Sequence, residues 1–367
     1  MTELELPALD GANPLGFLAA LGTLAVLSET DPHIKLGWHA RARWTPFLIS
    51  PKLLGESEIL ARLAKRLQGQ PVGEKAERKR EASQERLDAA KRRLKDANDA
   101  LKVLKLRGNQ LKTERERVVE PVRQRFDKRR KIVLARRKVA VPSPELSIGK
   151  KVDLSADEFR SNAESFLQDA ELGSSAIAML AGLATESCDE KRCPRTRFDF
   201  IDSSGQLAFL EAALQLMSKA TPERLEATLF RPWKRADEKY SLRFDPVEDR
   251  RYALLDRDPT AGDNKSTSEW MANLLAYRAL SLFPCVLARR GSETTGWAED
   301  SGAWCFTWPI WKPPLALKTI GSLLTNCELI TLHPSQSLRR VGVEAAYRAR
   351  RISNGDYVNF SPAFAVL

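Results

Sequence analysis

Residues 85–140 read ERLDAAKRRLKDANDALKVLKLRGNQLKTERERVVEPVRQRFDKRRKIVLARRKVA, and their spacing decides how the rest of the chain is parsed. Leu87, Ala90, Leu94, Ala97, Leu101 and Leu104 follow one another at steps of three and four, which keeps them on one face of a helix, on a background of Ala, Lys, Arg, Glu and Asp. Gly108-Asn109 is a turn signal. Beyond it Leu111, Val118, Val122, Phe126 and Ile132 to Leu134 resume at roughly helical intervals. Pro121 has no N–H, and its ring crowds the preceding turn, so it predicts a kink or break in this second arm. The expected object is an antiparallel helical hairpin of the coiled-coil kind, closed by the linker Pro142-Ser143-Pro144.

Charge sets this segment apart from its flanks. Residues 74–140 hold 24 Lys plus Arg against 11 Asp plus Glu, an excess of 13, whereas the 367-residue chain totals +11, so everything outside the segment nets −2. The segment also contains no Trp or Tyr, while the flanks hold all eight tryptophans. It reads as an insertion at 71–145 between two parts of a near-neutral globular domain, 1–70 and 146–367. In the second arm Arg123, Arg125, Lys128, Arg129, Arg130, Lys131, Arg136, Arg137 and Lys138 have only Asp127 among them. Such an excess repels itself unless a polyanion lies against it. Arg92 and Arg93 of the first arm belong to the same expected surface. The competing reading is a solvated coiled-coil face laced with ion pairs one turn apart.

Outside the insertion, Asn13-Pro14 is a helix start, with Asn as cap and Pro at the first helical position. The helix that follows, Leu15 to Leu27, is apolar all round and predicted to be buried, with Gly16, Ala19, Ala20 and Gly22 allowing close backbone approach. Lys35 to Ile49 alternates polar and apolar residues around Trp38 and Trp44 as a half-buried strand does, presenting Arg41 or Arg43 outward. Helices are expected over 57–67, 155–168, 174–185, 206–218 and 266–282, and strand-like runs over 197–201, 239–244 and 250–255. The stretch 297–314, with four tryptophans and three prolines, is expected to be β-rich or irregular, its indoles in the core or at subunit contacts and not base-stacking platforms. The fold class is therefore α+β and helix-dominated, with short β segments.

Chemistry is sparse. The three histidines, His33, His39 and His333, sit in no H-E-x-x-H pattern and at no metal-ligand spacing from a cysteine pair. Cys188 and Cys193 form at most half a zinc site. Phosphate-loop, dinucleotide-binding and nucleophile-elbow motifs are missing, since Gly149-Lys150-Lys151 lacks its upstream glycine. Asp245, Glu248, Asp249, Asp256, Asp258 and Asp263 offer carboxylates for a divalent ion, but Arg243, Arg250, Arg251 and Arg257 are interleaved with them, as in surface ion pairs. No enzyme and no cofactor is expected. Near the end, Arg339, Arg340, Arg348, Arg350 and Arg351 with Tyr347, Asn354 and Tyr357 combine phosphate-pairing forks, aromatics and an Asn-Gly turn, which suits a nucleic-acid contact surface. No apolar run reaches membrane-spanning length, and the five scattered cysteines suit a reducing, cytoplasmic compartment better than a disulfide framework.

DGANPLGFLAALGTL at 10–24, RRYALLDRDPT at 250–260, LFPCVLARRGSETTGW at 282–297 and VGVEAAYRARRISNGDYVNFSP at 341–362 together resemble the large-subunit-type proteins of subtype I-G (formerly I-U) CRISPR systems. These signatures span both flanks and skip the insertion, and none is a catalytic motif. The resemblance implies a non-catalytic subunit of an RNA-guided Cascade complex. Its expected partners are the guide RNA complex, other Cascade subunits, double-stranded target DNA with its displaced strand, and a helicase-nuclease; no membrane partner is expected. In such complexes base pairing reads the target, while protein reads a short flanking motif and holds the separated strand. Two other readings stay open: a coiled-coil protein-docking module, and a metal-dependent nuclease using the aspartates near 256.

Overall fold

The computed structural model describes residues 2–52, 55–169, 173–186, 192–201, 208–246, 267–288, 291–334, 336–354 and 357–367. In chain order the elements are β1 (Thr2–Glu5), α1 (Pro14–Ser28), β2 (Lys35–Ala40), β3 (Trp44–Ser50), α2 (Glu56–Gln68), α3 (Glu74–Val103), α4 (Gly108–Glu114), α5 (Glu120–Arg137), α6 (Ala156–Leu167), α7 (Gly173–Leu183), α8 (Phe209–Met217) and α9 (Pro222–Phe230). There follow β4 (Asp237–Glu238), β5 (Thr267–Ser268), α10 (Trp270–Ala279), β6 (Cys285–Ala288), β7 (Gly291–Thr294), β8 (Trp297–Asp300), β9 (Ala303–Trp311), β10 (Leu315–Ala316), α11 (Leu317–Leu324), β11 (Val343–Asn354), β12 (Tyr357–Phe360) and β13 (Phe364–Ala365). Helix accounts for 52% and short antiparallel strand for 18%, so the chain is a helix-dominated α+β protein. Among the described residues no helix is long and apolar enough to cross a membrane. The chain divides into two compact units, residues 70–149, and residues 1–69 with 150–367.

In the larger unit, β1-β3-β2-β10 form one sheet and β12-β11-β9-β8 another, with β13 also on β11. Helix α1 starts where Asn13 caps it, the Asn13 Oδ1 accepting from Leu15 N and Gly16 N at 2.8 and 3.1 Å. Every residue from Pro14 to Leu27 is buried, as its all-apolar sequence predicts. Phe17 on this helix meets Trp38 of β2 and Trp308 of β9, both at 5.8 Å between ring centroids. The indole N–H of Trp308 donates to Gly11 O and that of Trp311 to Leu36 O, so each ring is buried with its polar end satisfied. Trp297, Trp308 and Trp311 are core residues, as expected, whereas Trp304 is only half-buried. Phe198, Phe283, Trp297, Phe306 and Phe360 continue this aromatic core.

Four sequence expectations change. Residues 35–49 are two strands, β2 and β3, paired from Lys35↔Ile49 to Ala40↔Trp44, and Arg41 and Arg43 lie in the turn between them. Residues 197–201 form no strand; Phe198, Phe200 and Ile201 are buried in irregular chain, so their apolar spacing reflects core packing and not a ladder. Residues 239–244 are not a strand either, because Lys239, Tyr240 and Arg243 take left-handed backbone with φ of 66, 56 and 65°. The helix expected from 266 begins at Trp270, its first N–H taken by Asp237 Oδ2 at 2.9 Å. The proposed run 250–255 lies outside the described residues.

The cap of α1 is tied into a polar network. Asn13 Nδ2 donates to Asp245 Oδ1 at 3.0 Å, and Arg235 Nε donates to Asp245 Oδ2 at 2.7 Å. Asp245 is buried and thereby committed to structure, not to a metal; Glu248, Asp249, Asp256, Asp258 and Asp263 lie outside the described residues. Beside it the Arg235 backbone N–H donates to Glu269, whose carboxyl is pushed above its ordinary value chiefly by burial, with Asp237 adding to the effect. A carboxyl with a raised folded pKa holds its proton more firmly folded than unfolded. Its contribution favours folding most below the ordinary value of 4.5 and is lost as pH rises through the folded value. Glu269→Gln, which keeps the acceptor oxygen, is therefore expected to gain stability relative to the native chain as pH rises from about 4 to about 7. Urea unfolding of both proteins across that range measures it, and parallel curves would contradict it.

Candidate nucleic-acid interface

In the 70–149 unit α3 lies along α5, and Arg136 Nη1 near the end of α5 donates to Lys79 O near the start of α3, so the two run antiparallel. Leu87, Ala90, Leu94 and Ala97 are half-buried and Leu101 is buried, whereas Leu104, past the helix end, is 54% exposed. Pro121 does not break the second arm. Residues Arg115–Val119 form a π-helical turn just ahead of it, a widened turn that accommodates a ring with no N–H to offer. The extra residue shifts the helical phase, so Val119 is buried where Val118 is half-buried.

Counting from Val119, the covered positions of the second arm are Val119, Val122, Phe126, Arg130, Val133 and Arg137. Two expected contact arginines thus fall on the inner face. Arg130 is half-buried, and Arg137 is fully buried with its Nε donating to Leu146 O at 3.0 Å, so Arg137 is a structural residue. Arg136 is half-buried by its bond to Lys79. Arg123, Arg125, Lys128, Arg129, Lys131 and Lys138 are exposed, as are Arg92 and Arg93 on α3.

The two arms differ in their balance of charge, α3 carrying seven carboxylates against ten Lys plus Arg and α5 two against eight. On α3, Arg78 pairs with Glu74, Arg80 lies near Glu77 and Glu81, and Lys102 pairs with Asp99. Those pairs are ordinary for a solvated helix face, while Lys75, Lys79, Arg86, Lys91, Arg92, Arg93 and Lys95 of the same helix take part in no ion pair among the described residues. Among the described residues Arg123, Arg125, Lys128, Arg129 and Lys131 take part in no ion pair. At 1.5 Å rise per residue these five cations occupy about 12 Å of helix. The same length of duplex carries about seven phosphate charges.

The arginines near the end of the chain separate. Arg348 is buried on β11, donating to Thr307 Oγ1 at 2.9 Å, to Asp300 Oδ2 at 3.2 Å, and to the carbonyls of Leu332 and Thr331. With its fork directed inward it is not a ligand contact, and the same holds for Tyr347, whose hydroxyl accepts from Trp44 Nε1 at 2.8 Å. Arg339 and Arg340 are exposed on a short 3₁₀ helix, Gln336–Val341, and Arg350 is exposed on β11. Asn354 ends β11 in register with Tyr357, but the side chains of both lie outside the described residues, as does Gly355.

Arg351 is half-buried over Phe200, its guanidinium 5.7 Å from that ring. It has company that sequence reading passed over. Arg197 stacks on Trp304 with its guanidinium carbon 3.1 Å from the ring centroid, and Arg195 pairs with Asp199 at 3.7 Å. Burial pushes Arg197 below the usual arginine range, and the charge of Arg351 adds to that; burial likewise lowers Arg351, with Asp199 opposing and Arg195 reinforcing. The only hint in the sequence is Arg-Thr-Arg-Phe-Asp-Phe at 195–200, which has the alternation of a strand.

Donor atoms of a metal-binding kind gather in one place among the described residues, where Glu3, Glu5 and His39 lie within 4.8 Å of one another. His39 Nε2 meets Glu3 at 2.7 Å, while Arg41 takes both oxygens of Glu5, an arrangement already satisfied as an ion-pair cluster. No family model matches the chain, and no curated protein matches it.

Proposed function

We propose that the chain is a non-catalytic nucleic-acid-binding subunit of a CRISPR surveillance complex of the subtype it resembles, with the basic helical arm lying along target DNA or its displaced strand. The observation that carries this reading is the run of five exposed cations on α5 without ion-pair partners. Helix surfaces that only need solubility carry carboxylates in numbers near those of their cations, as α3 does with seven against ten, whereas α5 has two against eight. The arginines and lysines of α5 meet phosphates, contacts that position a protein on nucleic acid without reading its sequence. Flanking-motif inspection and recruitment of a helicase-nuclease follow from the resemblance, not from a particular side chain.

A second reading, a protein-docking coiled coil, is favoured by Val103 and Leu104, which are 77% and 54% exposed at the end of α3. Salt separates the two. Duplex DNA affinity of the full chain is expected to fall by orders of magnitude between about 50 and 200 mM salt, because each neutralised phosphate releases condensed counterions. Docking through apolar side chains is nearly indifferent to salt. Filter binding or anisotropy with unrelated duplexes at both concentrations decides, and a flat response sinks the nucleic-acid reading.

A further inference from the structure

Strand register brings a second, independent group of arginines together in the larger unit. The β11–β9 ladder pairs Arg350 with Cys305, so one step on Arg351 comes level with Trp304. Directly opposed residues of neighbouring strands project to the same face. Trp304 in turn carries Arg197 over its ring at 3.1 Å, and Arg351 lies over Phe200 at 5.7 Å. Two guanidiniums on neighbouring aromatic rings therefore lie close enough at the end of a sheet for one charge to act on the other, and Arg195 acts on Arg351 in the same way. Neither Arg197 nor Arg351 forms an ion pair among the described residues, and the buried Nε of Arg197 has no hydrogen-bond partner. Three carboxylates stand nearby: Asp199 is engaged by Arg195, and Glu293 and Glu299 act on Arg197 from beyond pairing distance.

A guanidinium held against a ring, half out of water and with donors unspent is arranged to pair its fork with two oxygens of an oxyanion. An internal lock would look like Arg348, whose donors all end on oxygens of the fold. We propose that Arg197 and Arg351, assisted by Arg195, form a phosphate-binding site that takes a phosphate of a nucleic-acid backbone. The choice of a backbone phosphate rests on the nucleic-acid reading above; the site itself does not.

The test compares the full chain with an Arg197→Gln/Arg351→Gln double variant in two arms. In the first, thermal unfolding is followed in inorganic phosphate and in chloride at matched ionic strength. Phosphate is expected to raise the midpoint of the native chain and not that of the variant; equal shifts, or none, overturn the site. In the second, both are placed on a chain whose five α5 cations are reversed, and single-stranded oligonucleotide binding is measured. Residual affinity is expected to fall by at least about tenfold in the double variant, the scale of losing charge-assisted contacts. Protection by phosphate with unchanged oligonucleotide affinity keeps the site and overturns the backbone assignment. Protection by phosphate with no nucleic-acid binding even by the native chain keeps the site while the proposed function fails. If the double variant does not fold, Arg351→Gln alone carries the same comparisons, its side chain being only half-buried.

Discussion

Reversing Arg123, Arg125, Lys128, Arg129 and Lys131 to glutamate is expected to lower duplex affinity by about three orders of magnitude or more and to flatten its salt dependence. Each phosphate contact contributes about 0.9 to the slope of log affinity against log salt, so five lost contacts flatten it by about 4 to 5. The substitution is gentle on the fold. All five side chains are exposed and lie off the inner face set by Val119, Val122, Phe126 and Val133. Glutamate has nearly the helix propensity of arginine and lysine, so circular dichroism should be unchanged. Because phosphates carry no sequence, the loss should be uniform over unrelated duplexes. Five reversals take the chain from a formal +11 to +1. A control reversing three exposed cations that already sit beside carboxylates, Arg78 and Lys102 on α3 and Arg117 in the π turn, separates local contact from bulk charge and should matter far less per residue. An unchanged slope in the α5 variant would remove the arm from the interface.

That prediction uses five of the nine second-arm cations read from the sequence, and the reason for the narrowing is physical. Composition and one-sided charge mark the arm, but which cations point outward depends on helical phase, and the π turn at 115–119 shifts that phase by a residue. Arg130 and Arg137 fall inside because they continue the spacing of three and four set by Val122, Phe126 and Val133. Local signals were readable where their partners are local. Asn13 ahead of Pro14 caps α1, and Ser155 with Glu158 makes a reciprocal capping box at α6. Signals whose partners are distant were not. Arg348 becomes a core residue because Asp300 and Thr307 face it from other strands, 48 and 41 positions away. Arg197 acquires meaning only from Trp304, on a strand that begins at Ala303. Left-handed backbone at Lys239, Tyr240 and Arg243 likewise defeats a strand reading, since nothing in those side chains announces it.

The most severe single substitution in the larger unit should be a methyl group at Gly22. A Cβ built there lies 1.7 Å from the carbonyl oxygen of Leu275 and 2.5 Å from its carbon, so the obstruction is the backbone of α10 and not a side chain that can turn aside. Gly182 on α7 meets the carbonyl of Leu280, just beyond α10, at 2.1 Å in the same way. Two helices thus close on the same stretch of chain through glycines, burying Leu274, Leu275 and Tyr277 completely. Packed helix cores resist even a methylene, and here the helices must separate along their length to admit one. Gly22→Ala is expected to cost about 3 kcal/mol or more, despite the better helix propensity of alanine. For a domain of this size that lowers the thermal midpoint by roughly 6 to 12 °C. Gly321→Ala in α11 is the matched control, because nothing lies within 4 Å of its Cβ. There the propensity term acts alone, and a gain of up to about 1 kcal/mol is expected. Calorimetric scans of the two variants should therefore move in opposite directions from the native midpoint. If Gly22→Ala moved with Gly321→Ala, α1 and α10 would have to be farther apart than this packing places them.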